Sequence, residues 1–312
     1  MKIIFMGTPD FAVPILEKLA KTDNTIQRVI TQPDRKKGRG KALQPPPVKK
    51  CATELGLTVC QPEKVSNQNF IDELKELDPD LIVTAAYGQI LPREILEIPN
   101  YDAINVHASL LPKYRGAAPI HRAVINGEDI TGVTIMKMSE KMDAGDILNY
   151  QKILINKNDN SGNIFNKILD VAPSLLVDTV EQFKRDEIVA KKQDDSRATY
   201  APKLTKVDER LNFKDSMAEQ IYNQVRGLNP WPGAYTYVRD KRLKVWESEL
   251  LEEINEHNNN LGSIVAVSDN GPVIQCKSGK IILTKVQLQG KKPISGSDFV
   301  RGFHIKENEA LN

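Results

Sequence analysis

The sequence predicts an α/β chain in two parts: a mostly parallel sheet covered by helices, then a small antiparallel barrel. Three observations carry this. Strand-like apolar runs alternate with helix-like segments through residues 1–190, the order of strand-helix crossover units. A polar, charged stretch over 191–207 interrupts that order and is expected to be a linker crossing the surface. Residues 208–312 then carry short strand-like runs separated by turn dipeptides. A chain of 312 residues is long enough for two domains and for a core that needs no disulfide or metal.

The elements follow in order. Lys2–Met6 is a short apolar strand ending in Gly7-Thr8-Pro9-Asp10. Pro14–Lys21 places Ile15, Leu16 and Leu19 at helical spacing. Gln27–Thr31 is β-branched and strand-like, and Val48–Leu55 reads as a helix. Asn69–Leu77 puts Phe70, Ile71, Leu74 and Leu77 on one helical face and stops at Asp78-Pro79. Leu81–Ala86, Ala103–His107 and Thr131–Met138 read as strands. Ser161–Lys184 carries one or two helices, expected to break or kink at Pro173. In the second part Ser216–Arg226 is helical, and Ala234–Val238, Leu243–Trp246, Ile264–Val267, Val273–Cys276 and Ile281–Leu288 are strands. Trp231 and Trp246 are expected in the barrel core.

Composition removes several function classes. The longest apolar runs fall far short of a membrane span of ~20 residues. The N-terminus enters a strand with no apolar leader. Cys51, Cys60 and Cys276 are odd in number and lack CxxC spacing, as free thiols in a reducing compartment would. His107, His121, His257 and His304 form no close pair, so no metal is expected. His121 reads as structural and His257 as solvated. No glycine-rich dinucleotide or phosphate-loop motif occurs. The net charge is only +2, yet residues 31–50 carry +6 and residues 271–306 another +6. A polyanion grip, if present, is confined to those stretches.

The chemistry gathers at Ile104-Asn105-Val106-His107. Residues i and i+2 of a strand share a face, so Asn105 and His107 point the same way. The strand exit at Ala108-Ser109-Leu110-Leu111-Pro112 lies where open parallel sheets bind ligands. An amide there can stabilise an oxyanion and an imidazole can donate or shuttle a proton. The carboxylate partner comes from Met142-Asp143-Ala144-Gly145-Asp146, where Asp143 and Asp146 compete equally on local sequence. Gly145 would let backbone approach a ligand. The other unusual segment is Arg35-Lys36-Lys37-Gly38-Arg39-Gly40-Lys41, followed by Pro45-Pro46-Pro47. It is a flexible basic loop on a stiff, polyproline-like stem, suited to phosphate backbones.

Met6-Gly7-Thr8-Pro9-Asp10-Phe11, Thr31-Gln32-Pro33-Asp34-Arg35, the Asn105–Pro112 run, Arg115-Gly116-Ala117-Ala118-Pro119-Ile120 and Asp143-Ala144-Gly145-Asp146 together resemble the methionyl-tRNA formyltransferase family. Ala198-Thr199-Tyr200-Ala201-Pro202-Lys203-Leu204 and Asn229-Pro230-Trp231-Pro232-Gly233-Ala234 extend the resemblance along nearly the whole chain. It implies a Rossmann-like catalytic domain binding 10-formyltetrahydrofolate and an OB-like domain that helps hold initiator methionyl-tRNA. The catalytic set then falls on Asn105, His107 and Asp143, in preference to Asp146. Ser109, Leu110, Leu111 and Pro112 match the folate-lining turn. Gly88, Gln89, Ile90 and Leu91, after Tyr87, match the wall of the pterin pocket. The basic loop matches a tRNA acceptor-arm element, which implicates Arg35, Lys36, Lys37, Arg39 and Lys41. A monomeric, cytoplasmic, metal-free enzyme is expected. The rivals are a folate-dependent transformylase acting on a small amine and a catalytically silent tRNA-binding protein.

Overall fold

The computed structural model describes residues 1–37, 42–251 and 260–311. The strands of the first part are β1 (Lys2–Gly7), β2 (Thr25–Ile30), β3 (Arg35–Lys37), β4 (Ala42–Gln44), β5 (Val59–Cys60), β6 (Leu81–Ala85), β7 (Asp102–His107), β8 (Ile130–Lys137) and β9 (Ile147–Leu154). Seven of them form one sheet in the order β5-β2-β1-β6-β7-β8-β9. The pairings from β5 through β7 are parallel, and β8 runs antiparallel to β7. Every residue of β6 is buried, and so is all of β1 beyond Lys2. Both faces of the central strands are therefore covered, as in a parallel sheet.

Local sequence explains most of the helices. Asn67 caps Gln68–Glu76 by accepting from the Asn69 amide at 3.0 Å. Ile71 and Leu74 of that helix pack with Ile4, Met6 and Ile82 of the sheet. Burying such a side chain contributes about 1.5–3 kcal/mol. Pro46 adopts the extended backbone expected of the proline stem (φ −62°, ψ 153°), and the helix Pro47–Glu54 starts directly after it. Ser161–Lys184 is a single helix with Pro173 inside it.

Several elements have weak sequence signals. β5 is two residues long, and β9, at the sheet edge, has a polar, exposed centre between apolar ends. The short helix Pro119–Ile125 begins at its proline. The basic loop has a hairpin base, with Arg35 opposite Gln44 and Lys36 opposite Leu43. Arg39 and Lys41 lie outside the described residues, as does His257.

By contacts the chain divides into two units. One is Met1–Gly116, Thr131–Ile153 and Asn166–Tyr200, and the other is Ala117–Ile130, Leu154–Phe165 and Ala201–Asn312. The second unit holds β10 (Ala234–Val238), β11 (Lys241–Leu251), β12 (Ile264–Ser268), β13 (Gly271–Gln275), β14 (Lys280–Leu288) and β15 (Ile294–Ser295). All their pairings are antiparallel, in the order β10-β11-β14-β13-β12 with β15 on β14. Among the described residues these pairings form an open path, an antiparallel sheet consistent with the expected OB-like barrel but without a closing pair. Leu243, Val245, Ile274, Ile281, Leu283 and Val286 face a core completed by Ile221 and Val225 of the helix Ala218–Gly227 and by Phe299 of Gly296–Phe303.

The tryptophans are not where composition put them. Trp231 is 66% exposed, with its ring edge-on to His121. Trp246 is half-buried outside the core, with the Lys244 ammonium 4.9 Å from its ring centre. Its indole N–H donates to Gln287 Oε1 at 3.1 Å. Strand alternation decides this: Val245 takes the inward position, so Lys244 and Trp246 face out. His121 is structural as expected, with Nε2 3.2 Å from the Trp231 carbonyl.

Candidate active site

Asn105 and His107 lie on β7, where β6 flanks one side and β8 the other. Thr84 is opposite Asn105 across the β6–β7 pairing. Its hydroxyl donates to Asn105 Oδ1 at 2.7 Å. The amide oxygen is thereby engaged, and the NH₂ end is the one presented for donation. Thr84 is missed by reading motifs, because only strand register brings it beside Asn105.

His107 is buried at the end of β7, opposite Thr134 of β8. Its Nε2 is 3.0 Å from the Tyr114 carbonyl. A carbonyl only accepts, so Nε2 carries the hydrogen. Nδ1 is 3.6 Å from Asp143 Oδ2, close enough for electrostatic pairing but longer than a hydrogen bond. Asp143 Oδ2 also accepts from the Gly116 amide at 2.8 Å. Asp143, not Asp146, therefore reaches the imidazole, as the resemblance implies. Asp146 instead uses its carbonyl, which accepts from Lys137 N at 2.9 Å.

Gly145 serves a different purpose from the one its loop suggests. A Cβ there would lie 1.9 Å from the Lys137 carbonyl oxygen. The missing side chain admits the backbone of β8, not a ligand, and lets the Asp143 loop fold tightly over that strand.

The turn after β7 is locked internally. The buried Ser109 hydroxyl donates to the Lys113 carbonyl at 2.7 Å, and Thr134 Oγ1 donates to the Ser109 carbonyl at 2.7 Å. The Leu111-Pro112 bond is cis. Leu111 is buried, while Leu110 and Pro112 are partly exposed. Ser109 therefore shapes the turn, and its neighbours offer surface.

The β6 exit is built in the same way. Tyr87 is buried, and its burial pushes the phenol pKa up; its hydroxyl has no hydrogen-bond partner among the described residues. Gly88 is exposed at φ 95°, a left-handed region that favours glycine. Gln89 is used internally: Val65 N donates to its Oε1 at 3.1 Å and its Nε2 donates to the Glu63 carbonyl at 3.3 Å. Ile90 is 80% exposed, whereas Leu91 belongs to the core beneath. Of this wall, Gly88 and Ile90 are open to a ligand and Leu91 is not.

Arg35 and Lys36 are exposed on the hairpin. Among the described residues no group of three His, Cys, Asp or Glu side chains is placed to hold a metal ion, and no helix is long and apolar enough to cross a membrane.

An amide donor, an imidazole and a carboxylate at the exit of one strand of a mostly parallel sheet are groups that can stabilise an oxyanion and move a proton. The family comparison gives the class: residues 1–180 match formyl transferase, and residues 203–304 match the formyl transferase C-terminal domain. The chain is 52% identical over 312 residues to the methionyl-tRNA formyltransferase of Natranaerobius thermophilus, covering 100% of both. It is 45% identical over 311 residues to the Bacillus subtilis enzyme of that name, covering 99% of this chain and 97% of the relative. The chain belongs to the methionyl-tRNA formyltransferase family. Solved structures share the fold at lower identity. An N-formyltransferase from Helicobacter canadensis, in complex with folinic acid and dTDP-3-aminofucose, aligns with a TM-score of 0.69 at 20% identity over 91% of this chain and 98% of that one. HypX from Aquifex aeolicus, in complex with tetrahydrofolic acid, aligns with a TM-score of 0.61 at 18% identity over 97% of this chain and 47% of that one.

Proposed function

We propose that this enzyme moves the formyl group of 10-formyltetrahydrofolate to the α-amino group of methionine on initiator methionyl-tRNA, using Asn105, His107 and Asp143. The observation that carries the assignment is the approach of the Asp143 carboxylate to His107 Nδ1 at the end of the strand that carries Asn105 two residues before. The neutral amine attacks the formyl carbon and forms the new C–N bond. The oxygen of the tetrahedral intermediate takes hydrogen bonds from Asn105 Nδ2 and from a protonated Nδ1 of His107, since Nε2 is held by Tyr114. The amine proton passes by way of Asp143 to N10 as the N10–carbon bond breaks, leaving a formamide and tetrahydrofolate. A preorganised oxyanion donor is worth ~10²–10³ in rate and general acid-base transfer ~10²–10⁴.

The folate fits the surface between the two strand exits, where Gly88, Ile90, Leu110 and Pro112 are accessible and the polar groups of Ser109 and Gln89 are already used by the protein. Residues 1–190 act as the catalytic domain and 208–312 as the tRNA-binding domain, with 191–207 between them. On the outer face of β10 and β11, the Arg242 guanidinium lies 4.1 Å from the Tyr235 ring centre and the Arg210 guanidinium 5.9 Å from that of Tyr237. Aromatic and cationic side chains in one patch suit an RNA backbone and its bases. The basic hairpin with Arg39 and Lys41 supplies the second contact. The enzyme acts as a cytoplasmic monomer, a state that light scattering on the purified chain checks.

Formylation of charged initiator tRNA by Asn105→Ala, His107→Ala and Asp143→Ala tests the site. Each should lose at least ~10² in kcat. Near-wild-type kcat in all three folded variants would sink the assignment. Glycinamide ribonucleotide or an amino-sugar nucleotide in place of the tRNA should remain unformylated.

A further inference from the structure

The segment 191–200, expected from its polarity to be a surface linker, grips both loops of the site. Lys191 and Ile147 exchange backbone hydrogen bonds of 2.8 Å each way. Thr199 Oγ1 accepts from Tyr114 N at 2.9 Å, and the Thr199 carbonyl accepts from Arg115 N at 2.9 Å. Between these two anchors sits Gln193, only 7% exposed.

Every hydrogen-bonding position of the Gln193 amide is used. Nε2 donates to the Asp143 carbonyl at 2.9 Å and to the Gly145 carbonyl at 2.7 Å. Oε1 accepts from Arg115 Nε at 3.2 Å and Nη2 at 2.8 Å. Arg115 is itself buried, and its Nη2 also reaches Asp195 at 2.7 Å; that bond, with the positive charge of Arg115, lowers the Asp195 pKa. A carboxamide has two N–H donors and a two-fold acceptor, and this site consumes all of them.

The group being held needs holding. Asp143 has φ +48°, a left-handed conformation that a non-glycine residue keeps only when its surroundings enforce it. The two Nε2 bonds hold that residue's own carbonyl and the carbonyl two residues on. Arg115, on the other side of the amide, lies in the loop whose Tyr114 carbonyl fixes His107 Nε2. One side chain thus ties the carboxylate's loop to the imidazole's loop.

We propose that Gln193 is a positioning residue for formyl transfer, acting through Asp143 to set its carboxylate against His107. The proposal rests on the catalytic reading of Asp143. It assigns a kinetic role to a residue whose amide is taken up entirely by protein partners, in a stretch whose composition reads as connector. A misplacement of 1 Å at a reacting group costs ~10² in rate.

The test is Gln193→Glu, which keeps shape and the acceptor for Arg115 but sets oxygen against two carbonyls. It should lower kcat about 10–100-fold while KM for the folate and for charged tRNA stays within about threefold. Gln193→Met, apolar and similar in length, should show the same split and guards against a Glu variant that does not fold. In an Asp143→Ala background, Gln193→Met should cause no further loss, because the group it positions is gone. Wild-type kcat in a folded Gln193→Glu or Gln193→Met variant, a loss expressed in KM, or losses that multiply in the double variant would each overturn the proposal. Near-wild-type kcat in Asp143→Ala alone would instead remove the underlying reading.

Discussion

Adding a single methyl group at Gly145 should disable the site without touching a reacting group. In Gly145→Ala the new Cβ would lie 1.9 Å from the Lys137 carbonyl oxygen and 2.8 Å from its carbon. A carbon-oxygen contact relaxes only at about 3.3 Å, so the two backbones must part by about 1.4 Å. The loop cannot swing freely, because Lys137 N is bonded to the Asp146 carbonyl and Gln193 holds the Gly145 carbonyl. The displacement falls on the loop carrying Asp143, two residues away, whose carboxylate stands 3.6 Å from His107 Nδ1. A shift of that size should cost ~10² in kcat, or about 2.7 kcal/mol of transition-state stabilisation. Overpacking should cost a further ~1–3 kcal/mol of folding stability. Steady-state formylation of charged initiator tRNA, run beside thermal unfolding, reads both. A Gly145→Ala enzyme with kcat within threefold of wild type would refute the claim that this contact sets the position of Asp143.

Other outcomes follow from the same structure. Thr84→Val removes the donor to Asn105 Oδ1 at nearly constant volume; at ~0.5–1.5 kcal/mol for one hydrogen bond, kcat should fall about 3–10-fold, and Thr84→Ser should restore it. Burial pushes the Cys51 thiol up to about 11 and the Cys276 thiol up to about 12, so neither should react with a thiol reagent at pH 8 until the chain unfolds. The unfolded chain releases those protons above the ordinary thiol value of 9.0 while the native chain retains them; stability should therefore decline as pH rises from 9 toward 12, and a flat urea midpoint across that range would contradict it. KM for charged tRNA should rise steeply with salt while KM for the folate does not, and Arg39→Ala should lower that salt slope by about one ion; an equal rise in KM for the folate would make the loop structural.

What the sequence determined by itself were the local facts. The runs Lys2–Met6, Leu81–Ala86 and Ala103–His107 appear as β1, β6 and β7, because short segments rich in β-branched and apolar residues, bounded by turn residues, are buried as strands of a covered sheet. Period two put Asn105 and His107 on one side of a strand, a property of the backbone that needs no tertiary information. The choice between Asp143 and Asp146 was open locally and came from the resemblance. It is the fold of the loop that sends the Asp143 carboxylate to His107 and leaves Asp146 to bond through its carbonyl.

The tertiary structure decided whatever depends on distant segments meeting. Thr84 reaches Asn105 from 21 positions away, Gly145 matters because β8 passes against it, and Gln193 reaches Asp143 across 50 positions. Composition points the wrong way for Gly145, which reads as room for a ligand, and it hides Gln193, a buried residue flanked by exposed ones. Trp246 reverses likewise, since inward and outward on β11 are set by strand alternation and not by hydrophobicity, and Trp231 lies exposed in the turn before β10. Asn105 and His107 were thus legible as residue types at short spacing. The groups that aim them were not, because a hydrogen bond between residues far apart in the chain leaves no pattern in a single sequence.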